Sequence, residues 1–285
     1  MNSAMQKPGR HGSGAPRGRL RSIEGRHNAI VKELRGAFAR GELTDDGHCA
    51  IEGVRIIEEA IRSGLKFRAV FFSKSGENKA DRLLPQLAAY VETLLLPDKL
   101  FASAVPSETP QGVAALVKCK LFTLDEVLGR LEQGPVIAVA GIQDPGNLGT
   151  MLRSAEAFGA AGVLLGEGTA NPFNSKVVRA SAGSVFRIPI VRMSLLPALT
   201  SLREHGARLV STSSHKGVPL GEVKFEGRSA IFIGSEGAGL PRDLMAEMDE
   251  MIMIPHSASV ESLNAGVATS IVLYEVARQR MSNAG

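Results

Sequence analysis

Long apolar runs are missing from this chain of 285 residues. None reaches the roughly 18–20 residues that a bilayer-spanning helix needs, and the N-terminus has no apolar stretch of signal-peptide type. A membrane or secreted location is therefore not expected. Cysteine is scarce, with only Cys49 and Cys119 present. Neither stands at metal-ligand spacing from a partner and the histidines are scattered, so a disulfide framework and a structural zinc site find little support. Both thiols read as small buried hydrophobes, and a reducing cytoplasm fits. The chain also lacks a Walker A loop, an HExxH helix and a GxSxG elbow. The nearest approach to a dinucleotide fingerprint, Gly234-Ser-Glu-Gly237-Ala-Gly239, has the wrong spacing. There is no repeat of solenoid type.

What is present is a globular composition, 44% hydrophobic and 22% charged, long enough for one large domain or two ordinary ones. The net charge of +4 is mild, but it is unevenly spread. Residues 1–26 hold Lys7, Arg10, Arg17, Arg19, Arg21 and Arg26 against the single acid Glu24. Such a Gly/Ser-rich basic arm can neutralise phosphates without fixed structure. It also reads as a solvated tail, and its Arg-rich, acid-poor makeup resembles a transit peptide.

The chain divides into a flexible basic arm over 1–22, a compact α/β unit over 23–118, a linker over 119–134 and a second α/β unit over 135–285. In the first unit, Ile30, Val31, Leu34, Ala37 and Phe38 recur at helical spacing, with Lys32, Arg35 and Arg40 on the opposite face. A second amphipathic helix is expected over 51–64. Strands are expected over 67–73 and 113–117, and Pro85 suggests a kink or two short helical turns. From Pro135 onward strands alternate with helices, the pattern of a mainly parallel sheet covered on both faces. Ligands of such sheets sit beyond the carboxyl ends of the strands.

Three loops at strand ends could carry chemistry. The first is Asp144-Pro-Gly-Asn147-Leu-Gly149, where Asp144 or Asn147 caps a helix that bears Arg153. A helix starting at Asn147 puts Arg153 less than two turns in, with its head reaching back over the loop. The second is Gly234-Ser-Glu236-Gly237-Ala-Gly239-Leu-Pro241, whose glycines let backbone approach a ligand. The third runs from Ile254-Pro255 to Glu261-Ser262-Leu263-Asn264. It opens a long helix whose first turn is expected to carry Ser262 and Asn264. Each loop also has a purely structural reading: a capped turn with an exposed arginine, a flexible glycine turn, and a capped helix start.

Taken together, DPGNLGTMLRSAEAFG, IFIGSEGAGLP and IPHSASVESLNAGVATSIVLYE resemble, in order and spacing, the three motifs of the SpoU (TrmH-type) RNA ribose 2′-O-methyltransferases of the SPOUT superfamily. The stretch from NAIVKELR to TPQGVAALV is similar to the ribosomal-protein-like substrate-binding domain that precedes many members. The resemblance implies a C-terminal trefoil knot, S-adenosylmethionine as methyl donor and an obligate homodimer through the knotted domain. The run of small residues Ala265, Gly266, Ala268 and Ser270, which permits close helix packing, agrees with that pairing. It implies methylation of structured RNA, ribosomal RNA above all, with transfer RNA or a catalytically inactive RNA-binding paralogue as alternatives. The carried-over catalytic positions are Arg153, Asn147, Glu236, Ser262 and Asn264. Backbone groups at Gly234, Ile254 and Leu263 would hold the cofactor. Lys32, Arg35, Arg40, Lys176 and Arg179 are candidate RNA contacts, although a solvated helix face explains each one singly.

Overall fold

The computed structural model of the chain describes residues 17–107, 109–235 and 237–283. The first unit holds five strands: β1 (Leu20–Ser22), β2 (His48–Glu52), β3 (Lys66–Ser73), β4 (Glu92–Leu96) and β5 (Val113–Lys118). Its helices are α1 (Ala29–Arg40), α2 (Val54–Arg62), α3 (Ala80–Leu83) and α4 (Asp98–Ala104). The strand order is β1-β4-β3-β5-β2, with β1, β4 and β3 parallel and β5 antiparallel to both β3 and β2. Asn28 caps α1 by accepting from the Ile30 amide, and Gly41 ends it at φ 64°, a left-handed turn that glycine adopts without strain. Ile30, Val31, Leu34 and Ala37 are the buried stripe.

Two expectations are corrected here. The flexible arm does not extend to residue 22, because Leu20–Ser22 pairs with β4. Arg19 donates to the carbonyls of Leu87 and Ala88 at 3.3 and 2.7 Å, and Arg21 pairs with Glu92 at 2.6 Å. These two arginines tie down an edge strand, while Lys7 and Arg10 lie outside the described residues. The helix expected from 51 begins only at Val54. Cys49, Ala50 and Ile51 face Val117, Leu116 and Ala115 across an antiparallel ladder. Gly53, at φ 98°, makes the corner between strand and helix.

The remainder of the chain comprises α5 (Leu124–Leu128), β6 (Val136–Val139), α6 (Pro145–Ala157), β7 (Gly162–Leu165), α7 (Ser175–Ala180), β8 (Ile190–Arg192), α8 (Leu195–Glu204), β9 (Arg208–Ser213), β10 (Val218–Pro219), β11 (Ser229–Ile233), α9 (Arg242–Ala246), β12 (Glu250–Met253) and α10 (Ala265–Asn283). Its sheet runs β10-β12-β9-β11-β6-β7-β8, and every neighbouring pair is parallel. All seven carboxyl ends therefore lie on one edge. The side chains alternate as a doubly covered sheet requires. Ile137 and Val139 pack with α6 and α10, whereas Val136 and Ala138 pack with α5, α8 and α9. The segment read as a linker thus contributes core: Thr123 and Glu126 form a capping box at the start of α5, and Val127, Leu128 and Leu131 are buried.

The two units share one apolar core, in which Ile57 and Phe72 belong to the same cluster as Ile137 and Met151. Ionic ties reinforce the seam. Arg187 reaches Glu59 at 3.1 Å, Ser63 at 3.0 Å and Glu156 at 2.9 Å. Arg179 lies 3.6 Å from the buried Glu52. Among the described residues no helix is long and apolar enough to cross a membrane.

Candidate active site

The first and third candidate loops meet because α6 and α10 run parallel with their starts side by side. Four successive contacts fix that register. The Asn264 amide donates to Asn147 Oδ1 at 2.8 Å. A Cβ on Gly266 would stand 3.1 Å from Thr150. The Ser154 and Ser270 hydroxyls are 2.6 Å apart. The Phe158 and Tyr274 rings meet edge to face at 5.8 Å. The small residues of α10 are thus spent within the chain, where Gly266 and Ser270 let α6 approach closely. Beside that contact, α10 leaves Val267, Ile271 and the outer part of Tyr274 exposed.

Local sequence explains both helix starts. Asp144 caps α6 by accepting from the Asn147 amide at 2.7 Å, and Pro145 takes the first helical position, where its missing N–H costs nothing. Asn264 caps α10 through the Val267 amide at 3.1 Å, so the helix opens at Ala265. Two expectations change as a result. Ser262 and Asn264 precede the final helix instead of sitting in its first turn, and Ser262 is exposed. With α6 starting at Pro145, Arg153 lies more than two turns in, about 12 Å along the axis. Its side chain is exposed and has no hydrogen bond or ion pair among the described residues. The longer helix moves its Cα farther from the loop than a start at Asn147 would.

The second loop follows β11, between β6 and β9. Ser235 and Gly239 exchange backbone hydrogen bonds at 3.2 and 2.9 Å, closing a tight turn. A Cβ on Gly234 would fall 2.1 Å from the Gly239 carbonyl carbon, so only glycine fits there. Glu236 lies outside the described residues. In the third loop the Ile254 carbonyl accepts from His256 Nδ1 at 2.7 Å, and Leu263 is half-buried. His256 was not singled out from sequence. A histidine three residues beyond a strand end, able to bond back to the backbone, was the available signal.

The basic candidates fall into two places. On α1, Lys32 is exposed, and Arg35 is held by the Ser103 carbonyl at 3.1 Å. The Arg40 guanidinium lies over Gly36. On α7, Lys176 and Arg179 line a cleft of about 880 Å³ between the two units, opposite Arg55 and Gln111. Glu33, Asp46 and His48 cluster elsewhere, where Arg68 supplies the counter-charge at 3.0 Å from Glu33. Burial, followed by the charge of Arg68, lowers the His48 pKa.

Farther along α10, Glu275 accepts from Arg278 at 2.7 Å and from Gln279 at 2.7 Å, and Gln279 in turn accepts from the Phe225 amide at 2.9 Å. The hydrogen bond from Arg278 is the main reason the Glu275 carboxyl is held down to about 2 from 4.5. A depressed folded-state pKa gives stability that is present above the ordinary pKa and lost as pH falls through the depressed one. Glu275→Gln is therefore expected to lower Tm at neutral pH by about 2–4 °C and to flatten the Tm–pH curve between about pH 4.5 and pH 2. An unchanged acid limb would refute the anchoring role.

A parallel sheet with glycine-bearing and asparagine-bearing loops at its carboxyl edge defines a ligand-binding α/β protein of enzyme type. Comparison with known proteins narrows this. The SpoU rRNA Methylase family matches residues 134–274, and an MRM3-like substrate binding domain matches residues 28–115. The chain is 32% identical over 260 residues to the 23S rRNA (guanosine(2553)-2′-O)-methyltransferase RlmP of Bacillus subtilis, covering 90% of this chain and 99% of that one. The AdoMet-bound rRNA methyltransferase of Sinorhizobium meliloti superposes with a TM-score of 0.79 at 27% identity, covering 92% of this chain and 99% of that one. The SpoU methyltransferase AviRb of Streptomyces viridochromogenes, in complex with AdoMet, gives 0.77 at 28% identity, with 90% and 99% covered. The chain belongs to the SpoU rRNA methylase family.

Proposed function

We propose that this protein transfers the methyl group of S-adenosylmethionine to a ribose 2′-hydroxyl of ribosomal RNA in the cytoplasm. The observation that carries the reading is the Asn147–Asn264 hydrogen bond, which brings the first and third family motifs together at the carboxyl edge of the sheet. The second motif supplies the tight turn at Gly234 beside them.

The residues present fit the cofactor. Gly234 leaves no room for a side chain in the turn, and a Cβ on Gly237 would meet nothing within 4 Å, so backbone there is open to a ligand. Backbone groups at Gly234, Ile254 and Leu263 would hold the adenosine part, with His256 fixing the Ile254 carbonyl. Bound there, the group supplies a methyl carbon activated by an adjacent sulfonium. The rest falls to the chain. Asn147 and Asn264 fix the loop geometry, and Ser262 adds a polar group at the same edge; Glu236 is a candidate by its match to the family motif alone. A guanidinium hardly deprotonates in a protein, so Arg153 acts by orienting the 2′-hydroxyl and stabilising the developing alkoxide. Lys32, Arg35, Arg40, Lys176 and Arg179 would neutralise RNA phosphates.

A homodimer belongs to the same reading. Val267, Ile271 and Tyr274 form an exposed apolar stripe, and a second copy covering it would bring an exposed Arg153 against its partner's surface. The trefoil knot would then lie in the segment that carries the second and third motifs. Pulling the termini apart tests it, since a knotted chain stops short of full extension. The function itself is tested by mapping ribose methylation in total RNA from cells with and without the gene, alongside light scattering of the pure protein. Loss of a single ribosomal 2′-O-methyl group, and a mass near twice 30.2 kDa, are expected. Loss confined to transfer RNA, or no loss at all, would overturn the ribosomal assignment.

A further inference from the structure

A second groove, of about 420 Å³, opens where the two units and the segment joining them meet. Leu43 comes from the first unit, Leu121 and Phe122 from the joining segment, and Asn171, Phe173 and Arg192 from the parallel-sheet unit. Its floor is the edge strand β8 and the loop after β7, so it lies on the same carboxyl edge as the candidate active site. At about 4.8 Å per strand, β8 stands roughly 10 Å across the sheet from β6.

The groove has the chemistry of a stacking site. Phe122 and Phe173 are half-buried, and Leu121 is 68% exposed, an unusual setting for a leucine. Lys120 sits 4.4 Å from the Phe122 ring centroid, so a cation already borders the ring. Arg192 is exposed and has no partner among the described residues. Asn171 accepts from the Phe173 amide at 3.0 Å through its oxygen, which leaves its NH₂ group without a partner among the described residues. Glu42 is the single acid of the lining. Lys120 is held by Glu126 at 2.8 Å, so Arg192 is the cation left for a backbone. With flat apolar faces and one amide donor, the groove suits an unpaired nucleobase and its phosphate. A peptide strand is the poorer fit, because β8 offers an edge of only three residues.

We infer that this groove holds an unpaired base of the RNA substrate, flanking the nucleotide that is methylated, with the base against Phe122 and Phe173 and the adjoining phosphate on Arg192. The inference rests on the RNA-methylating reading above and adds a specificity subsite to it. Methyl transfer to protein-free ribosomal RNA tests it, in the wild type, Phe122→Leu and Arg192→Gln. Leucine keeps apolar bulk and loses the flat ring, so KM for RNA is expected to rise about tenfold with kcat held within about twofold. Arg192→Gln is expected to lower the slope of log affinity against log salt by about 1. If Phe122→Leu melts early, the Arg192→Gln slope decides. Unchanged KM and unchanged slope alongside full wild-type turnover would overturn the subsite alone. A wild-type protein inactive on every RNA would overturn the activity and the subsite together. A defect seen on ribosomal particles but not on naked RNA would overturn it in favour of a peptide strand.

Discussion

Arg153→Ala is expected to lower methyl transfer by about 10³-fold, the effect of removing a group that stabilises charge developing in the transition state. S-adenosylmethionine affinity should stay within about twofold, because Arg153 stands about 12 Å along α6, away from the loops assigned to the cofactor. Transfer of labelled methyl and calorimetry on the same preparation separate the two effects. Arg153→Lys is expected to recover little, since an ammonium is a point charge without the planar fork that holds a hydroxyl and a phosphate together. Arg153 is exposed and makes no ion pair among the described residues, so its guanidinium is accessible to substrate. Glu156, two residues beyond Ser154 on the same helix, is paired instead with Arg187. Full turnover by Arg153→Ala would remove the residue from the chemistry.

Gly234→Ala has the second large expected effect. The added methyl would stand 2.1 Å from the Gly239 carbonyl carbon and 2.3 Å from the Leu240 nitrogen, both backbone atoms. No rotamer change relieves such a clash, so the turn after β11 must open. Cofactor affinity is expected to fall at least about tenfold, corresponding to some 1.4 kcal/mol. Gly237→Ala, three residues on, meets nothing within 4 Å and serves as the control, with affinity unchanged. Equal losses in both variants would mean that the loop as a whole, and not the close approach at Gly234, governs binding.

Much of this arrangement was legible in the sequence, and the failures have physical causes. Alternation of apolar strands with helices after Pro135 identified the parallel sheet, because strands buried on both faces leave near-continuous apolar runs. The start of α2 was misplaced because Ile51, Val54 and Ile57 keep a helix-like spacing across a strand, a glycine corner and a helix. Gly53 was the available signal, and a left-handed glycine cannot be told from an ordinary one by periodicity. Ser262 and Asn264 were drawn into α10 because capping residues continue the pattern of the helix they cap. What no local pattern could supply was register between distant segments. Asn147 and Asn264 are separated by 117 positions, and the packing of α6 on α10, through Thr150 on Gly266, Ser154 on Ser270 and Phe158 on Tyr274, brings them together. The groove beside Phe122 was missed for the same reason, being assembled from four separate stretches.

The position of β11 has a consequence for how the protein comes to exist. It fills the gap between β6 and β9, and β9 pairs with nothing made earlier in the chain. Until Ser229–Ile233 leaves the ribosome, β6 to β8 form a sheet fragment with an unfinished apolar edge, and β9 has no edge to join. At about 5–20 residues per second, the roughly 90 residues between β6 and β11 take on the order of 5–20 s to synthesise. For that interval the nascent chain carries an open β edge, the kind of surface that chaperones cover and that aggregates when they do not. The strand that later bears the Gly234 turn is thus also the one that joins β9 to the waiting fragment, and β12 then covers the far edge of β9.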